Sequence, residues 1–586
     1  MGSRFAYDIN STSNVCRICN FDEDSPDDCF GVEILSFREI PSFVTTVYID
    51  TKLYGCIGDD INLPDTVTHI AFMGEYNGQI KKLPPFLEYL GIFSGYLKRL
   101  PQFPKTLKYL IIEGYYNRPL PPLPVGLETL IIGNAFNQPL TLPYGLKYLS
   151  LGIKYNQPIV LPDSITGLQI GGNVNTRLPS SLSNLQFNSC REAPLPLLPS
   201  HVTHLTLDHN YNTFINNNMW KYVQHVDFGD EYNQITTFPE SIKTIRFGYA
   251  YNQPTTLPQD IETVVFGCRY NQTTTLPQHL KKVVFGYRYN QITILPQNLK
   301  KVVFGTKYNQ ITILPQNLKK VVFGNTYDQI TMLPPNLKKV VFGNTYDQIT
   351  MLPPNLKKVV FGNTYNQPTI LPDGIEHVVF GTNYNINTVF PDSISCLQFP
   401  RYESLYHFPM VLPKNIERVI FSHQYNHHTI LPSGILKIKM GEKFNQPICV
   451  PYGTTHIHFG IEYNQNITLP NSITNVRIDA KQVNDFVTNI ILPPSVETLS
   501  VMNGDVLNHI LKRPLHISNL KLKGQILYRV NHTFTDVATH NLLSNHNLII
   551  SNIYSDKNIR HHITKNICNL IYKKITLLDI CTRLMH

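Results

Sequence analysis

From Tyr251 to Tyr384 a tyrosine stands every 19 residues, at Tyr251, Tyr270, Tyr289, Tyr308, Tyr327, Tyr346, Tyr365 and Tyr384, and each opens a near-copy of the same phrase. The copies Tyr327–Thr345 and Tyr346–Thr364 match at every position, which marks recent duplication. A fixed period near 20 residues is the signature of a solenoid, because a unit this short cannot cover its own apolar face and buries it against its neighbours. One extended array replaces the several globules that 586 residues would otherwise suggest.

The skeleton of the repeat is Leu-Pro, two spacers, an aliphatic, two spacers, then aliphatic-x-Phe or aliphatic-x-aliphatic. It is legible at Ile40-Pro41 with Val44, Val47 and Ile49, and at Leu123-Pro124 with Leu127, Leu130 and Ile132. About two dozen units fit between residues 40 and 501. The spacing Leu318-x-x-Val321-x-Phe323 is that of leucine-rich repeats, in which the alternating residues form one strand of a parallel sheet. Within one unit the expected core is Ile311, Leu314, Leu318, Val321, Phe323 and Tyr327, with Lys320 and Val322 facing outward. Proline in the middle of the connecting half removes a donor and blocks an ordinary helix, so that half is expected to be extended or turn-like. The fold class is therefore a mainly β repeat solenoid, leucine-rich-repeat-like, with a parallel sheet and a non-helical connecting side. Asn252, Asn271, Asn290 and Asn309 are expected to point inward and bond the backbone of the adjacent coil, forming an asparagine ladder beside stacked Tyr289, Tyr308 and Tyr327. Asp328 and Asp347 replace this Asn in two copies, keeping the acceptor.

The phrases Phe136-Asn-Gln-Pro-Leu140, Tyr155-Asn-Gln-Pro-Ile159 and Phe444-Asn-Gln-Pro-Ile448 resemble the hallmark of FNIP repeats, leucine-rich-repeat-like units of social amoebae and of giant viruses that infect amoebae. The resemblance covers most of residues 40–501. It implies a binding scaffold with no enzymatic residues to carry over, in the cytoplasm of an amoeba, native or infected. Some members of the family carry an N-terminal F-box, which implies the alternative of a substrate-recognition adaptor in ubiquitin-dependent turnover. Here only Val32-Glu-Ile-Leu-Ser-Phe37 resembles an F-box, and a solenoid beginning at Ile40 leaves no room for its three helices.

Residues 1–38 are expected to form an N-terminal cap, part of it disordered, residues 39–523 the solenoid, and residues 524–586 a C-terminal cap. Ile563, Ile567, Leu570, Ile571, Ile575 and Leu578 fall at helical spacing and place a helix near 562–582, suited to covering the last open coil. Residues 1–20 lack a basic start followed by an apolar run, and no stretch nears 18 consecutive apolar residues, so a soluble intracellular protein is expected. The ten cysteines are mostly scattered singly and are expected to be thiols. Cys16, Cys19 and Cys29, with Cys56, could tie a zinc knot over the first coil, but a plain cap is the favoured reading and no cofactor is expected.

From Tyr270 to Thr364 eleven lysines and one arginine stand against two aspartates, so this stretch alone exceeds the net charge of +9 of the chain. In the solenoid frame Lys282, Lys301, Lys320, Lys339 and Lys358 form one outward row and Val284, Val303, Val322, Val341 and Val360 the next, with Lys281, Lys300, Lys319, Lys338 and Lys357 along the corner. Like charges about 4.8 Å apart repel by about 0.9 kcal/mol at the dielectric of water, a tolerable cost. Duplication alone would produce such a stripe. As a surface it suits an acidic or mixed protein partner, from the host or the same organism, better than nucleic acid, because it lacks outward aromatics and arginines for base contacts.

Sequence motifs for phosphate loops, HExxH metal helices and GxSxG nucleophiles are absent. His456 and His458 have metal-ligand spacing on one strand face, yet Lys437, Lys439 and Arg477 occupy aligned positions, which disfavours a cation. His204, His225, Asp227 and Arg246 form a second polar cluster with no nucleophile beside it. Trp220, in a unit without Leu-Pro, is a candidate hinge or docking point.

Overall fold

The computed structural model describes residues 5–9, 15–20, 43–50, 63–73, 79–93, 96–171, 176–188, 194–400, 402–510, 519–522 and 525–529. The F-box-like stretch 32–37, Cys29, Cys56 and the helix near 562–582 lie outside them. The chain divides into two units, residues 1–394 and 395–586.

In the first unit, eighteen strands from Thr46–Asp50 to His377–Val379 pair in parallel with their sequence neighbours, with no register slip among the described residues. The sheet extends into the N-terminal segment, where Val15–Asn20 pairs parallel with Thr46–Asp50 and antiparallel with Phe5–Ile9. In the second unit seven parallel strands run from Cys396–Gln398 to Asn519–Leu522, and Gln525–Arg529 closes antiparallel on the last. Short helices at Asp485–Asn489 and Gly504–Ile510 follow its coils, and among the described residues no helix is long and apolar enough to cross a membrane.

A single coil shows why the period produces this. In Lys320-Val321-Val322 the central valine is buried while its neighbours face out, and Phe323 turns back into the core. Leu318 closes the preceding turn by donating its N–H to the Pro315 carbonyl at 3.1 Å. Gly324 then packs against the coil before it: a Cβ built there would collide with the carbonyl oxygen of Gly305, so only glycine permits the approach. Phenylalanines stack from coil to coil, as in Phe285–Phe304 at 5.8 Å, and tyrosines stack beside them, as in Tyr289–Tyr308 at 6.0 Å.

Backbone bonds join successive coils up to the tyrosine, as where Lys307 N–H donates to the Tyr287 carbonyl at 2.9 Å, and beyond it side chains make the connection. Asn290 Oδ1 accepts the N–H of Asn309 at 2.9 Å, and Gln310 Nε2 donates to the Asn290 carbonyl at 3.3 Å.

The connecting half corrects one expectation. Ile311 is not core but 75 % exposed, and Ile313 is 87 % exposed, while Thr312 between them is buried. The buried Tyr308 hydroxyl needs a partner, and Thr312 Oγ1 supplies it at 2.5 Å while itself donating to the Gln310 carbonyl at 3.0 Å. Leaving that hydroxyl buried without a partner would cost about 1–3 kcal/mol. Trp220 is likewise not a surface feature. It is fully buried against Phe228 and Phe238, where a 3-10 turn at Asn217–Met219 replaces the missing Leu-Pro.

Candidate functional site

The sheet face is where outward side chains are fixed by strand register. Lys282, Lys301, Lys320, Lys339 and Lys358 are direct cross-strand neighbours, as are Val284, Val303, Val322, Val341 and Val360. Each is half-buried. Partial burial, and then the charges of Lys339, Lys301, Lys282 and Lys358, hold the Lys320 ammonium below the ordinary lysine range. At the corner, acids terminate the lysine column at both ends. Lys281 meets Glu262 at 2.7 Å and Lys357 meets Glu376 at 2.8 Å, whereas Lys300, Lys319 and Lys338 have lysines above and below.

The asparagine column stands on the other side of the coil. Asn252, Asn271, Asn290 and Asn309 lie at the surface rather than pointing into the core, a correction to their expected direction. Each uses its Oδ1 to accept the N–H of the next coil, at 2.9 Å from Asn271 to Asn252 and from Asn290 to Asn271. Asp328 performs the same role for Asp347 at 3.0 Å, which explains why aspartate substitutes there. Beside this column Tyr289, Tyr308 and Tyr327 are fully buried and bonded to Thr293, Thr312 and Thr331. These two columns hold the coils together.

Of the histidine clusters, His204 and His225 stack at 4.4 Å, but Asp227 pairs with Arg246 at 3.1 Å instead of orienting an imidazole. Burial, followed by the neighbouring His225, holds the His204 pKa below its usual value. In the second unit the strands Arg418–Ile420, Lys437–Lys439, His456–Phe459, Asn475–Ile478 and Thr498–Val501 floor a basin of about 470 Å³. Its lining includes Arg418, Lys437, Lys439, His456, His458 and Arg477. Asp479, 4 % exposed at the end of the strand Asn475–Ile478, accepts from His458 Nε2 at 3.0 Å and from Arg477 Nε at 2.9 Å. Burial and then Lys437 hold His456 below the usual histidine pKa. Among the described residues no three His, Cys, Asp or Glu side chains are placed to hold a metal; Cys16 and Cys19 fall in the strand Val15–Asn20.

The FNIP Repeat profile matches residues 116–154, 136–173, 232–269, 270–307 and 308–345. The chain carries FNIP repeats. In them the aromatic residue of the Tyr-Asn-Gln or Phe-Asn-Gln phrase is the stacked core ring, as in Phe136 on Tyr155 at 6.4 Å, and the Asn is the bridge between coils. Among solved structures, the fold is similar to that of CroV588, described as a novel circular LRR protein and coming from a giant virus, with TM-score 0.65 at 23 % identity over 90 % of this chain and 95 % of that one. YopM from Yersinia enterocolitica aligns at 18 % identity over 75 % and 84 %, with TM-score 0.29. No curated protein sequence matches. The FNIP repeats here thus build a leucine-rich-repeat-like parallel β solenoid, a fold typical of protein-interaction scaffolds.

Proposed function

We propose that the protein is a non-enzymatic scaffold that presents the Lys/Val face of its near-identical coils to an acidic protein partner, in the cytoplasm of an amoeba, native or infected. The reading rests on the in-register column of Lys282, Lys301, Lys320, Lys339 and Lys358 beside a valine column. Cations at strand spacing meet a carboxylate-bearing segment laid across the strands, and the valines give it apolar contact. Solenoids bind through such extended repeated faces. Nucleic acid fits the face poorly, because the outward rows in these coils contain no aromatic ring to stack a base.

The test is quantitative affinity capture from amoeba extract with wild type and with the variant K301E/K320E/K339E. A protein retained by wild type, lost by the variant and released by salt supports the reading. Identical captured sets overturn it, and capture dominated by RNA transfers the face to nucleic acid.

A further inference from the structure

The basin of the second unit differs in origin from the lysine stripe. The stripe repeats one duplicated unit, whereas the basin strands read Arg418-Val-Ile, Lys437-Ile-Lys, His456-Ile-His and Asn475-Val-Arg, four unlike coils whose cations were not copied together. Register nevertheless gathers them. Arg418, Lys437 and His456 follow one another across the strands in one column, and Lys439, His458 and Arg477 in the next. Four permanent positive charges and two imidazoles thus share one concavity. The carboxylate bonded to two of its residues, Asp479, is turned to positioning: it is almost fully buried and fixes both His458 and Arg477. Arg477 Nη2 also reaches Met502 Sδ at 3.3 Å, so the guanidinium is held at two points and is pre-organised.

A cation is repelled from such a place, which disposes of the metal that the His456/His458 spacing suggests. A compact dianion with several acceptor oxygens matches it. The outward residues of these strands contain no Phe, Tyr or Trp to serve as a base-stacking platform, and His458 and Arg477 are both tied to Asp479, so the anion is better carried on a peptide than on a polynucleotide. We propose that the basin floored by Arg418, Lys437, Lys439, His456, His458 and Arg477 binds a phosphate monoester, presented as the phosphorylated serine or threonine of a partner protein. This site is independent of the lysine face and stands or falls separately from it.

The full-length protein is immobilised and offered a degenerate peptide library with a central phosphoserine, the same library with serine, and single-stranded RNA. Wild type retains the phosphorylated library over the serine one, inorganic phosphate competes, and Lys437→Gln and Arg477→Gln each weaken retention by about tenfold or more, the consequence of deleting one charge-assisted contact. Asp479→Asn, which only positions, weakens retention less than Arg477→Gln. K301E/K320E/K339E leaves it unchanged. Circular dichroism checks folding, and if Arg477→Gln does not fold, the exposed Lys437 decides alone. Equal retention of both libraries, retention insensitive to Lys437→Gln, or RNA that outcompetes the phosphopeptides through the same residues overturns the proposal.

Discussion

At Tyr308 a single hydroxyl decides the direction of three neighbouring side chains. Its bond to Thr312 draws that residue inward and turns Ile311 and Ile313 out. The same pair recurs from Tyr232–Thr236 to Tyr384–Thr388 and at Tyr425–Thr429. Thr312→Val should therefore cost about 1–3 kcal/mol in urea unfolding by stranding the phenol, despite raising hydrophobicity. Ile311→Glu and Ile313→Glu should change stability by no more than about 0.5 kcal/mol. If the isoleucine variants are the damaging ones, the inversion is wrong. Gly324→Ala tests the closest approach between coils; driving a methyl into the Gly305 carbonyl should cost about 1–3 kcal/mol or more, the range for overpacking.

The elements of each coil differ in what joins them, backbone bonds on the sheet side and Asn and Gln side chains on the other. Because the Asn column works through its acceptor, Asn309→Asp should be nearly neutral in thermal unfolding, whereas Asn309→Leu should lower the midpoint by leaving the N–H of Asp328 without its acceptor. On the sheet, Lys320 stands between Lys301 and Lys339. Lys320→Glu should convert two repulsions into attractions and stabilise the protein by about 0.2–1 kcal/mol per pair at low salt, a gain that shrinks as salt is added. The strand half was legible in the sequence, because Lys320, Val321, Val322 and Phe323 alternate as a one-sided sheet requires. The connecting half was not. With no ladder to impose alternation, Ile-Thr-Ile reads as apolar-in when it is polar-in. The signal lay in comparing the copies from Tyr232 to Tyr384: the third residue after the tyrosine varies, as Ile235, Pro254, Thr273 and Asn387, while the fourth is always threonine, as Thr236, Thr255, Thr274 and Thr388. Of the surface sites, the lysine stripe could be read from the period alone. The period also aligned His456, His458, Lys437, Lys439 and Arg477 of the basin, whereas Asp479 follows the strand Asn475–Ile478 and its role appears only with the fold.

Across the whole molecule, repetition multiplies small effects. Burial pushes the phenols of Tyr251, Tyr327 and Tyr365 up to about 12 each, because the low-dielectric core disfavours the phenolate. An unfolded tyrosine ionises near 10, so each phenol contributes stability that is intact below about pH 10 and is lost as pH rises through about 12. Alkaline titration should show tyrosinate absorbance and loss of circular dichroism rising together in that window; ionisation at pH 10 with the sheet intact would contradict the buried columns. Excision of residues 327–345 should give a folded protein of unchanged thermal midpoint, since Tyr346 then stacks on Tyr308 as Tyr327 did. Two adjoining coils that are letter-for-letter equal are interchangeable parts. A crossover between the DNA segments that encode them drops or adds one in frame, so inheritance can lengthen or shorten the cationic face in steps of 19 residues without inventing a side chain.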